Sequence, residues 1–142
     1  MRKFLRGAVK KCVATGVLVS TMFCSFHLCL ADTYNESDYT KQSKRENYNY
    51  GSVTYSAYLG YSEHKCGGKL STNLGTGEAV RVELKYDVQD LILDAVYEKT
   101  ASERNYGSVT KTVDFKWGYI IDCEGRFFIS NVNNPVWEDT LR

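Results

Sequence analysis

Several things are scarce in this chain of 142 residues, and each scarcity narrows what it can be. It has one proline, Pro135, so little interrupts long β-ladders, which proline breaks by removing a donor. It has two histidines, His27 and His64. If the first leaves with a leader, no centre built on several imidazoles can form, and no metal site is expected. Asp87, Asp90 and Asp94 cluster, but without the Asp-x-Asp-x-Asp-Gly spacing of a calcium loop. A Gly-x-Ser-x-Gly elbow, a phosphate loop and a dinucleotide fingerprint are all missing, and Gly75-Thr76-Gly77 reads as a turn. The sequence therefore points to no catalytic residue and no cofactor.

Acidic residues are absent before Asp32, whereas Arg2, Lys3, Arg6, Lys10 and Lys11 all precede it. A cationic start, an apolar or small-residue run from Val13 to Leu30, and small residues at Cys29 and Ala31 have the layout of a secretory signal peptide over residues 1–31, cleaved after Ala31. An uncleaved anchor is the alternative, since eighteen residues can just span a bilayer. Cleavage removes five of 18 basic residues and none of the 17 acidic ones, leaving 111 residues with a formal charge of −4. Such a domain has no counterion-release drive toward nucleic acid and no attraction to anionic lipid. Nucleic acid is excluded as a partner, and membrane contact is expected only through an uncleaved leader.

Residues 32–50, DTYNESDYTKQSKRENYNY, are polar and of mixed charge, and read as a disordered arm. The β-domain is then expected over 51–142. Val53, Tyr55, Ala57, Leu59 and Tyr61 alternate with polar or small residues. Val80, Val82, Leu84, Tyr86 and Val88 alternate with Arg81, Glu83, Lys85 and Asp87, giving one apolar and one charged face at period two. Leu91–Thr100, Val109–Trp117, Tyr119–Cys123 and Arg126–Val132 read as further strands. Gly67-Gly68, Gly75-Thr76-Gly77, Gln89-Asp90 and Glu124-Gly125 supply turn chemistry between strands. The expected fold is all-β, a small antiparallel sandwich or barrel of about six or seven strands.

One hexapeptide, NYGSVT, occurs twice, at Asn49–Thr54 and Asn105–Thr110. It reads either as a pair of equivalent binding loops or, with more weight, as strand-entry chemistry in which Asn and Gly turn the chain and Ser, Val and Thr start a strand.

Two cysteines follow the leader, Cys66 and Cys123, 57 residues apart. In an oxidising compartment they are expected to form a disulfide worth about 4 kcal/mol on the chain-entropy account. The alternative makes Cys66 a nucleophile with His64 as its base. Sixteen of the 111 residues after the leader are aromatic, and half-exposed tyrosines on a rigid β-scaffold suit contacts with sugar rings or protein. Tyr58, Tyr106 and Trp137 are the candidate ligand-binding residues. These features together describe a secreted, disulfide-stabilised β-domain that binds a cell-surface glycan or protein. A bacteriocin-like toxin and, with less support, a small extracellular hydrolase are the alternatives. Expressed with its leader in a secreting bacterium, the protein is expected in the medium, beginning at Asp32 and without a titratable thiol. An intact Met1 terminus confined to the membrane fraction contradicts the export reading.

Overall fold

The alternation in the sequence becomes two packed sheets. The computed structural model describes residues 32–130 and 132–142, and residues 32–142 form one compact unit. The expected signal peptide, residues 1–31, lies outside the described residues. Eight strands occur in chain order: β1 (Lys41–Tyr50), β2 (Val53–Ser62), β3 (Lys65–Thr72), β4 (Ala79–Asp90), β5 (Ala95–Tyr106), β6 (Ser108–Asp114), β7 (Gly118–Ile129) and β8 (Trp137–Leu141). One sheet has the order β1-β2-β3-β6 and the other β5-β4-β7-β8, and all pairings are antiparallel. The protein is an all-β sandwich, and the chain changes sheet between β3 and β4, β5 and β6, and β6 and β7.

The inward residues of β2 and β4 are those that alternation selects. Val53, Tyr55, Ala57, Leu59 and Tyr61 are buried, as are Val80, Val82, Leu84, Tyr86 and Val88. Leu70, Ile120, Phe127 and Ile129 complete the centre of the core. At roughly 25 cal/mol per Å² of apolar area removed from water, residues such as these supply most of the drive to fold.

Four expectations about individual segments need correcting. Residues 41–50 are not part of a disordered arm but a strand paired with β2. β1 buries almost nothing, so it is held by its ladder and by ring contacts. Tyr48 meets Tyr55 with 6.4 Å between centroids, and the Arg45 guanidinium lies 4.5 Å from the Tyr48 centroid. Hydrophobic content does not register a strand stabilised in that way. Upstream, residues 32–40 lie over the outer face of the first sheet. The Tyr39 ring rests on Gly60 and its hydroxyl on Gly67, while Tyr34 stacks on Tyr39 at 4.9 Å.

Second, Gly67-Gly68 and Glu124-Gly125 are not turns. They sit inside β3 and β7, where the missing side chains make room for others. A Cβ on Gly68 would lie 2.8 Å from Val82 Cγ1 and 3.2 Å from Phe127 Cε1, and one on Gly125 would lie 2.6 Å from Leu59 Cδ1. These glycines mark close approach. Third, Tyr119–Cys123 and the first part of Arg126–Val132, as far as Ile129, are therefore one continuous strand, β7. Fourth, Leu91–Thr100 is not a strand throughout: residues 91–94 form the turn of the β4–β5 hairpin, because Asp90 caps that turn from its own side chain.

The two NYGSVT copies do different work. In both, the glycine adopts positive φ, 61° at Gly51 and 74° at Gly107, and the valine two residues later is buried. The first copy closes the β1–β2 hairpin within one sheet, whereas the second carries the chain from β5 in one sheet to β6 in the other. This is shared strand-entry chemistry, set on either side of the end of β3.

Adding one methyl at Gly68 tests the close approach. Gly68→Ala is expected to cost about 1–3 kcal/mol by overpacking, read as a lower urea midpoint at unchanged slope. Gly77→Ala, where a Cβ would meet nothing within 4 Å, is expected to stay within about 0.5 kcal/mol of the parent. Equal effects at the two sites contradict this account of the core.

Candidate functional site

The residues singled out from the sequence fall in different places. Trp137 is buried and stacks on Phe127 at 4.8 Å, so it belongs to the core and not to a solvent-facing binding surface. Tyr58 is half-buried and donates from its hydroxyl to Glu46 Oε1 at 3.0 Å. Tyr106 is exposed and stands alone of the three as a free ring. No single surface gathers them.

Cys66 and Cys123 are fully buried free thiols, on β3 of one sheet and β7 of the other. The disulfide expected from the sequence is not formed here. The neighbouring Cys66 thiol and then burial push the Cys123 thiol well above the ordinary cysteine range, which disfavours a thiolate at that sulfur. His64 does not face Cys66 as a base. Its Nδ1 lies 2.8 Å from the Gly118 carbonyl oxygen, and its ring stacks on Tyr119 at 5.4 Å.

The outer face of the β5-β4-β7-β8 sheet carries a shallow depression of about 420 Å³ lined by Glu83, Lys85, Thr100, Ser102, Glu124 and Arg126, among others. No aromatic ring lines it, so it offers no stacking platform for a sugar. Its charges are already turned on one another: Arg126 lies 3.8 Å from Glu83 and 3.9 Å from Glu124.

The marked departure from an ordinary surface is at one end of the sandwich. Leu91, Ile92 and Leu93, in the β4–β5 turn, are 57%, 67% and 66% exposed, and Trp117 between β6 and β7 is 65% exposed. Val96, Tyr119 and Ile121 are exposed beside them. In register, Val96 and Tyr119 flank Gln89 from the two neighbouring strands, so all three side chains stand on one face of the sheet. The remaining exposed large apolar side chains among the described residues, Tyr48, Tyr50, Leu74 and Tyr106, lie toward the opposite end, around the two hexapeptides. Isolated exposed apolar residues are ordinary, but a contiguous group marks a contact surface.

This end is held firmly by polar groups. The Asp90 carboxylate accepts from the Ile92 amide at 2.9 Å, the Leu93 amide at 3.1 Å and the Tyr97 hydroxyl at 2.9 Å. The Leu91 amide donates to the Trp117 carbonyl at 3.0 Å. Phe115 and Ile120 donate to the His64 and Glu63 carbonyls at 2.8 and 2.7 Å. Three connections, at 63–64, 91–94 and 115–117, are thus tied together by backbone. The amides of Leu91, Ile92 and Leu93 are all satisfied internally, so an apolar surface can cover these three residues without stranding their donors.

A signal for this end existed in the sequence. Leu91-Ile92-Leu93 follows Asp90, a residue whose side chain caps turns, and three aliphatics directly after such a residue are out of place in a buried strand. Alternation through Leu91, Leu93, Ala95 and Tyr97 concealed it.

Comparison with protein-family models, with curated proteins and with solved structures finds no match for this chain.

The Leu93 amide, with the Tyr97 hydroxyl, the Ile92 amide and the Lys99 charge, holds the Asp90 carboxyl below the ordinary aspartate range. A lowered folded value gives stabilisation that is complete above the unfolded value, about pH 4, and is lost as pH falls through the folded value. The Ile92 and Leu93 amide resonances are therefore expected to shift together with a midpoint below about pH 4, and Asp90→Ala is expected to abolish that titration. A midpoint above the ordinary aspartate value contradicts the capping role.

Proposed function

We propose that this protein is an exported β-sandwich that acts by binding at the cell surface, and that its contact surface is the apolar end formed by the 91–94 turn, Val96, Trp117, Tyr119 and Ile121. The observation carrying this reading is that three consecutive aliphatic side chains are held out to solvent by a turn whose amides are satisfied from within. Water exposure of that group is costly in apolar hydration, and covering it leaves none of these three amides without a partner. The cationic, apolar leader supports export.

Among the surface partners expected from the sequence, the chemistry of this end favours an apolar partner over a glycan. Sugar recognition joins an aromatic face to directed donors and acceptors, and the side chains of Leu91, Ile92 and Leu93 offer none. Export would also supply the oxidant for the two thiols. Thiol–disulfide exchange with an oxidised dithiol carrier would join Cys66 Sγ to Cys123 Sγ and leave the carrier with two thiols. Their burial on facing strands, β3 and β7, supports that step and the description of the exported form as disulfide-stabilised.

The test is binding of residues 32–142 to intact cells. Ile92→Asp and Trp117→Ala are expected to lower binding by about tenfold each, from the loss of roughly 1.5–3 kcal/mol of side-chain burial, with unchanged urea midpoints. Tyr106→Ala, at the opposite end, is expected to leave binding intact. If Tyr106→Ala abolishes binding and Ile92→Asp does not, the contact surface lies at the hexapeptide end and this reading fails.

A further inference from the structure

We propose that what the apolar end enters is a lipid bilayer, at the level of a zwitterionic headgroup and the first acyl carbons. This inference rests on the reading of that end as the contact surface and names the chemistry it meets. It departs from the expectation, drawn from net charge alone, that a membrane is reached only through an uncleaved leader.

Composition is the first argument. A tip of Leu91, Ile92 and Leu93 with Trp117 and Tyr119 set beside it has the order of side chains that a bilayer interface selects, aliphatic toward the hydrocarbon and amphipathic rings at headgroup level. Position agrees with this, because Leu91, Ile92 and Leu93 sit on a hairpin turn and Trp117 on a strand connection at one end of the sandwich, with Val96, Tyr119 and Ile121 on the adjoining strands. The satisfied amides matter more here than against protein. A bilayer interior offers no hydrogen-bond partner at all, so each amide satisfied from within lowers the cost of entering it.

Charge gives the second argument and selects the lipid. The acidic side chains around this end are Glu63, Asp87, Asp90, Asp94, Asp114 and Asp122, against Lys116 and Lys65, the latter paired with Asp38 at 2.6 Å, while Lys99 is turned inward over the Tyr97 and Phe115 rings at 5.3 and 5.1 Å. An acidic rim around a Trp and a Tyr repels anionic lipid. It complements the cationic outer end of a zwitterionic headgroup, which a tryptophan face also attracts.

The domain carries its own reporter, since Trp117 is exposed and Trp137 is buried in the core. Residues 32–142 are mixed with vesicles of phosphatidylcholine or of phosphatidylglycerol and followed by co-flotation and by tryptophan emission. Expected are flotation with phosphatidylcholine, at least about tenfold weaker flotation for Ile92→Asp, and weaker binding to phosphatidylglycerol. Emission is expected to move to shorter wavelength in the parent but not in Trp117→Phe, compared at vesicle concentrations at which the two float to the same extent. Three outcomes overturn the inference: no flotation with phosphatidylcholine, a preference for phosphatidylglycerol, or an emission shift that follows protein concentration without vesicles, which would place a second copy on this end. If vesicles fail but Ile92→Asp still loses binding to intact cells, the contact surface stands and its occupant is a protein. If Ile92→Asp changes neither, both readings fall.

Discussion

The spacing of the two sheets is the constraint on which the rest depends, and glycine sets it. Val82 and Phe127 from one sheet press on Gly68 of the other, and Leu59 presses back on Gly125. Each large side chain occupies space that the facing strand leaves open, so the layers interlock. Cys66 and Cys123 are buried on two of these facing strands, β3 and β7.

Once the layers are locked, the connections between them determine the two ends. At one end the hexapeptide copies, the 73–78 connection and Ser130 are drawn together, with Thr72 donating to the Gly107 carbonyl at 2.8 Å and Asn73 to the Thr54 carbonyl at 3.0 Å. Polar side chains share in these ties: Ser130 Oγ donates to Glu78 Oε1 at 2.5 Å. At the other end Asp90 and the backbone of 115–120 do the holding, and the side chains so presented are aliphatic and aromatic. The two ends are equally well fastened. They differ in what they show to solvent, and that difference gives the domain a direction.

Much of this architecture was legible from alternation. The faces of β2 and β4 followed from period two, because a strand with one wet and one dry side must alternate. What stayed hidden depended on tertiary contact. Glycine pairs at 67–68 and 124–125 read as turns because close approach by a side chain from another sheet leaves no trace in local sequence. β1 was invisible because a ladder and a few ring contacts hold it, and neither depends on apolar content. Trp137 was taken for a surface ring, since its Phe127 partner lies ten residues upstream in β7. The apolar end is masked by a second alternation, through Leu91, Leu93, Ala95 and Tyr97, which reads as a strand from the point where the chain in fact turns.

The apolar end as the site of contact is the claim that ties these elements together, and methyl resonances report on it directly. With leucine and isoleucine methyls labelled, phosphatidylcholine bicelles added to residues 32–142 are predicted to broaden Leu91, Ile92, Leu93 and Ile121 selectively. Leu59, Leu70, Leu84 and Ile129, buried in the core, are predicted to keep their line widths. Broadening centred on Leu74, beside the hexapeptides, or spread evenly over core and surface, would contradict the account.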